Sequence, residues 1–105
     1  MPRYLIDTDI LVDHEKGFQK SREFLSGLDR PENGLFLSVI TLSELFAGLS
    51  IEDRKKSEPL ISIFDVIVMD RLIAERAADY LWKYQKKNGV GLGDAVIAAT
   101  AQELG

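Results

Sequence analysis

The stretch Leu35-Phe36-Leu37-Ser38-Val39-Ile40 runs directly into Thr41-Leu42-Ser43-Glu44-Leu45-Phe46-Ala47-Gly48-Leu49, and its two halves keep different periods. The first half is almost continuously apolar, which suits a strand covered on both faces of a parallel sheet. In the second half Leu42, Leu45, Phe46 and Leu49 fall at i, i+3, i+4 and i+7, one face of a helix. A buried strand that passes straight into an amphipathic helix is the repeating unit of an α/β fold.

The same unit is legible on either side. Tyr4-Leu5-Ile6 is short and β-prone, is closed by Asp7-Thr8-Asp9, and precedes Ile10-Leu11-Val12, which predicts a first strand leading into a short helix. Phe18, Phe24, Leu25 and Leu28 predict a helix that ends near Gly27, before the turn cluster Arg30-Pro31-Glu32-Asn33-Gly34. Glu52 to Lys56 is a charged stretch, and Pro59 either interrupts the next helical segment or marks its first turn. Ile63 to Met69 reads as the third strand, with Asp70 as the cap of the next helix. Arg71 to Lys87 predicts a long helix with Ile73, Ala77, Leu81 and Tyr84 on one stripe, ended by Asn88-Gly89. Gly91-Leu92-Gly93 reads as a loop, and Asp94 to Leu104, apolar on most sides, as a helix packed inside the fold. Strands alternating with helices imply a three-layer α/β/α domain with a short parallel sheet of about three strands and right-handed crossovers.

The composition narrows the chemistry. At 105 residues, 46% hydrophobic and 29% charged, the chain is expected to form one domain over 1–105 with one modest core. There is no cysteine, which removes disulfides, thiolate metal sites and cysteine nucleophiles. The single histidine, His14, argues against a histidine-rich metal site or a Ser-His-Asp triad and reads as a surface residue. No apolar run approaches the ~18 residues of a membrane span, and MPRYLIDTD does not read as a signal peptide, so a cytoplasmic location is expected. A net charge of −4 rules out bulk attraction to nucleic acid, so any such partner needs local basic patches. Three clusters are available: Lys16, Lys20 and Arg22; Arg54, Lys55 and Lys56; Lys83, Lys86 and Lys87. Trp82 and the Tyr80/Tyr84 pair read as packing residues rather than base-stacking platforms.

In open parallel sheets, ligands bind at the carboxyl ends of the strands. Asp7 and Asp9 follow the first strand, Glu44 lies near the start of the helix after the second, and Asp94 opens the last helix. Two unit charges 4–5 Å apart repel by roughly 3–4 kcal/mol at an effective dielectric of 20, and three such pairs by about 10 kcal/mol. A cluster of this kind needs either a retained proton or a divalent cation. All-oxygen ligands suit Mg²⁺ or Mn²⁺ and metal-assisted phosphodiester hydrolysis. Each acid also has a plain structural reading. Asp7 or Asp9 can cap the first helix, Thr41-x-x-Glu44 is a capping-box pattern, and Asp94 after Gly93 is an N-cap candidate. Asp13 and Glu15 read as a solvated face. Gly89-Val90-Gly91-Leu92-Gly93 lacks the Lys-Ser/Thr of a phosphate loop and follows a helix rather than a strand.

Taken together, YLIDTDILVD (4–13), SVITLSELFAGL (38–49) and GLGDAVIAATAQELG (91–105) resemble the PIN-domain family, and within it the VapC-like toxins of toxin–antitoxin pairs. The three segments stand in the family's order from Tyr4 to Gly105. The resemblance implies a Mg²⁺- or Mn²⁺-dependent endoribonuclease in which Asp7, Glu44 and Asp94 match the metal-binding acids and Thr8 and Asp9 support them. It further implies a VapB-like antitoxin that inserts into or covers the groove, a homodimer, and structured RNA, often transfer RNA, as substrate. The family continues past the equivalent of Glu103-Leu104-Gly105 with an apolar strand and a further acid or polar ligand. The domain is therefore expected to be C-terminally incomplete, with its first strand at an open edge, weak metal binding and little cleavage. Two other readings remain at this point. One is a non-catalytic fragment that still binds antitoxin. The other is a haloacid-dehalogenase-like phosphatase, for which Asp7-Thr8-Asp9 would supply nucleophile and general acid, although Ala98 stands where that motif wants another acid.

Overall fold

The structure is a computed structural model and describes residues 2–88 and 91–105. In chain order its elements are β1 (Arg3–Leu5), α1 (Thr8–Glu15), α2 (Gln19–Leu28), β2 (Gly34–Ser38), α3 (Val39–Ala47), α4 (Ile51–Ile61), β3 (Asp65–Ile67), α5 (Arg71–Asn88) and α6 (Leu92–Leu104). The strands form one sheet in the order β1-β2-β3, and both pairings are parallel. Tyr4 lies opposite Leu35, and Leu37 lies opposite Val66. β2 is thus the central strand, as its unbroken apolar run requires.

The core is divided into two clusters. Leu35 and Leu37 of β2 join Ile6, Leu11, Leu25, Leu45 and Phe64 in one of them. Ile73, Ala77, Ala95, Val96 and Ala99 form the other, to which Ile40 and Ile67 add partly buried surface. The second cluster belongs to α5 and α6, whose small alanines let the helices approach closely. Outside the core, Arg76 pairs with Glu103 across the same two helices. Tyr80 borders this cluster and stacks on Tyr84 with ring centroids 6.0 Å apart. Trp82 departs from the packing role expected of it, with 84% of its surface exposed.

The element boundaries differ from expectation for local reasons. β2 stops at Ser38, and Val39 and Ile40, expected in the strand, open α3 instead. The buried Ser38 side chain accepts a hydrogen bond from the Ile40 N–H at 3.2 Å and caps the helix. β3 keeps only Asp65–Ile67 of the expected seven-residue run. The charged stretch at 52–56 lies within α4, where Ser50 accepts from the Asp53 N–H and Glu52 and Asp53 occupy the electropositive first turn. Pro59 sits near the end of α4 rather than in its first turn, and the helix stops two residues later. α2 runs through Gly27 to Leu28, and α6 takes in Leu92 and Gly93, whose composition reads as loop. Asp70 caps α5 as expected, accepting from the Ile73 N–H at 2.9 Å. Gly89 and Val90 of the glycine-rich segment lie outside the described residues. No helix among the described residues is long and apolar enough to cross a membrane.

Candidate active site

Asp7 follows β1 and occupies the N-cap position of α1 with extended backbone, yet its side chain makes no capping hydrogen bond. Its exposed carboxylate is therefore not committed to the helix. The next residue, Thr8, begins α1, and its hydroxyl donates to Glu44 Oε1 at 2.9 Å. Glu44 stands in the second turn of α3, since the helix starts at Val39. The capping-box reading of Thr41 and Glu44 is thereby corrected. Ser38 holds the N-cap, while Thr41 is fully buried inside the helix with no hydrogen-bond partner for its hydroxyl.

A third element closes on Glu44 from the other side. α6 has Gly91 as its N-cap, with no side-chain cap, so Asp94 lies within the first turn and is not the cap. Gly93 packs against the Glu44 carboxylate: a Cβ at this glycine would lie 3.0 Å from Oε2, 3.3 Å from Cδ and 3.4 Å from Oε1. Glu44 thus touches the residue that follows Asp7 and the residue that precedes Asp94. Asp7, Glu44 and Asp94 come from the two ends and the middle of the chain, and all three are exposed. Asp9 is exposed in the first turn of α1.

Among the described residues no three His, Cys, Asp or Glu side chains are arranged to hold a metal ion. Exposed carboxylates such as Glu44 are ligands of the type a hydrated Mg²⁺ takes, one or two at a time with water completing the shell.

Alongside Glu44 runs a groove of about 450 Å³, lined by Leu45 and Leu49, by the lysines Lys16 and Lys56 and by two further acids, Glu15 and Asp53; Lys56 lies 3.9 Å from Asp53. Two of the three basic clusters thus contribute a lysine to the wall that carries Glu44. This juxtaposition is not readable from the sequence, because Lys16 and Lys56 are far apart in the chain and come to one groove only through the packing of their helices. His14 is not a free surface residue, since its Nδ1 is buried without a hydrogen-bond partner. Gly93 and Ser38 are the two positions that sequence reasoning missed. A glycine directly before an acid and a serine at the end of an apolar run were the signals available.

The PIN-domain family model matches residues 4–105. The chain belongs to the PIN-domain family. Ribonuclease VapC10 of Mycobacterium tuberculosis is 36% identical over 98 residues, which cover 92% of this chain and 73% of that protein. A toxin–antitoxin complex from Klebsiella pneumoniae superposes with a TM-score of 0.77 at 31% identity, covering 95% of this chain and 78% of that one. DNA-bound VapBC from Salmonella typhimurium gives 0.69 at 26% identity, covering 96% and 80%. VapBC2 from Rickettsia felis, bound to a DNA fragment from its promoter, shares the fold at 23% identity, with a TM-score of 0.76 over 94% and 79%. A PIN domain spanning 4–105 leaves no room for the haloacid-dehalogenase-like reading.

Proposed function

We propose that this PIN domain is the toxin of a toxin–antitoxin pair and acts as a Mg²⁺- or Mn²⁺-dependent endoribonuclease. The observation that carries the reading is the position of Glu44, between the hydroxyl of Thr8 and the first turn of α6; the reading takes Asp7 and Asp94, the sequence neighbours of those two contacts, to share a crevice with it. None of the three acids spends its side chain on capping a helix. Asp7, Glu44 and Asp94 hold the ion, directly or through water, and Thr8 fixes the Glu44 carboxylate, with Asp9 nearby. When bound, the ion supplies activation of water and neutralisation of charge on the scissile phosphate. Lys16 and Lys56 hold the flanking RNA phosphates beside the acids. Structured RNA, transfer RNA included, is the substrate class.

The relatives' complexes support an antitoxin as partner, and a VapB-like chain that covers the Glu44 groove would block the RNA path. A homodimer and a cytoplasmic location belong to the same reading. The test is incubation of a structured RNA with the purified chain and Mn²⁺. Cleavage that is lost in EDTA and in Asp7→Asn, with the helical circular dichroism unchanged, supports the proposal. Equal cleavage by Asp7→Asn removes that residue from the site.

A second reading is a non-catalytic antitoxin binder, favoured by the likeness to chains solved in toxin–antitoxin complexes. It predicts metal-independent binding of an antitoxin and no cleavage at any Mn²⁺ concentration.

A further inference from the structure

We propose that Gly93 is the spacing residue of the acidic crevice: the absence of a side chain there lets the first turn of α6 close on Glu44 and set where its carboxylate stands. The inference rests on the metal-site reading above and adds a positioning residue to it.

Three observations meet at this glycine. Gly93 is helical, in the first turn of α6, and needs no unusual backbone angle, so conformational freedom does not account for it. Its distinguishing property is small volume: a Cβ would stand 3.0 Å from Glu44 Oε2 and within 3.4 Å of the other two carboxylate atoms, closer than such atoms ordinarily settle. Glu44 is also held by α1, where Oε1 accepts from the Thr8 hydroxyl at 2.9 Å. The carboxylate is therefore clamped between α1 and α6, and an added methyl crowds it within that clamp.

The energetics separate position from stability. The atoms that would be crowded are the far end of an exposed, flexible side chain, not backbone. A rotamer change relieves the clash at small cost to the fold, and alanine is the better residue within a helix. The loss falls instead on the carboxylate's placement, which a metal site does not tolerate. A second feature works in the same direction: unpaired N–H groups at a helix start favour a nearby negative charge, and the glycine lets Glu44 approach that end of α6. A larger residue would push Glu44 away from that end and away from the turn that carries Asp94.

The experiment compares wild type, Gly93→Ala, Glu44→Asp and the double variant. Mn²⁺ affinity is read by titration with electron paramagnetic resonance, and the metal alone is the probe. Gly93→Ala is expected to unfold at a temperature close to that of wild type and to bind Mn²⁺ about tenfold more weakly, the scale of effect seen when a residue orienting a ligand is changed. In the Glu44→Asp background the shorter side chain withdraws from α6, so adding Gly93→Ala should change the affinity by less than about twofold, the non-additivity expected of groups in contact. Unchanged affinity in Gly93→Ala, or the same loss in both backgrounds, overturns the proposal. Should wild type bind no Mn²⁺, the metal reading fails, and the spacing role is then judged from a crystal structure of Gly93→Ala. A Glu44 carboxylate displaced from the Thr8 hydroxyl supports the role, and one left in place rejects it.

Discussion

Thr8 shows how much a single side chain carries in this site. Its hydroxyl joins the residue after Asp7 to the carboxylate of α3, across 36 positions of sequence. Thr8→Val removes the donor and keeps the shape. Because the bond lies at an exposed position, stability should move by less than about 1 kcal/mol. RNA cleavage should fall roughly tenfold, as for other residues that orient a metal ligand. Thermal unfolding and an initial-rate assay on one preparation check both halves. Thr41 behaves in the opposite way. Its hydroxyl is buried without a partner, so Thr41→Val relieves an uncompensated desolvation and should leave stability equal or higher by up to about 1 kcal/mol in urea titration. Residue types were legible in the sequence at this scale. Asp7, Glu44 and Asp94 stand out as candidates from their places after strands and at a helix start, whereas Gly93 and the lysines on the groove wall depend on distances that only the packed helices set.

At the scale of elements, the junction between β2 and α3 decides where Glu44 points. Ser38 is almost wholly buried and supplies the cap that turns strand into helix. Ser38→Ala should cost about 1 kcal/mol, the usual loss for an N-cap. It should also lower cleavage, since the helix that carries Glu44 loses its fixed start. Denaturant unfolding together with the rate assay tests this. The junction explains why boundaries were harder to read than elements. Val39 and Ile40 are β-branched and extend an apolar run, so local preference places them in the strand, and a hydrogen bond from the Ile40 N–H to the Ser38 side chain reverses that preference. α6 is longer than expected for a similar reason: Leu92 and Gly93 read as loop from composition, but Gly91 provides the extended cap and the helix begins at once.

On the scale of the whole molecule, the central strand anchors the larger core and leads directly into the helix that carries Glu44. Leu37 is fully buried in that cluster, and Leu37→Ala should cost about 2–5 kcal/mol. That is a large part of the roughly 5–15 kcal/mol that stabilises most domains. The alternating order of strands and helices was legible throughout, because period and burial follow directly from the spacing of apolar residues. Which basic residues approach the acids was not, because that depends on how α4 packs in the folded chain. If Lys56 holds a phosphate, then Lys56→Ala should weaken RNA binding and reduce the slope of log affinity against log salt by about 0.7, the value for one contact to a single strand. An unchanged slope would place Lys56 outside the RNA path. The decisive measurement is a Mn²⁺ titration followed by electron paramagnetic resonance. Wild type should bind the ion, and Asp7→Asn, Glu44→Gln and Asp94→Asn should each lose most of that binding while remaining folded. A wild type that binds no Mn²⁺, or three single variants that bind it as wild type does, would contradict the claim that these side chains share one ion.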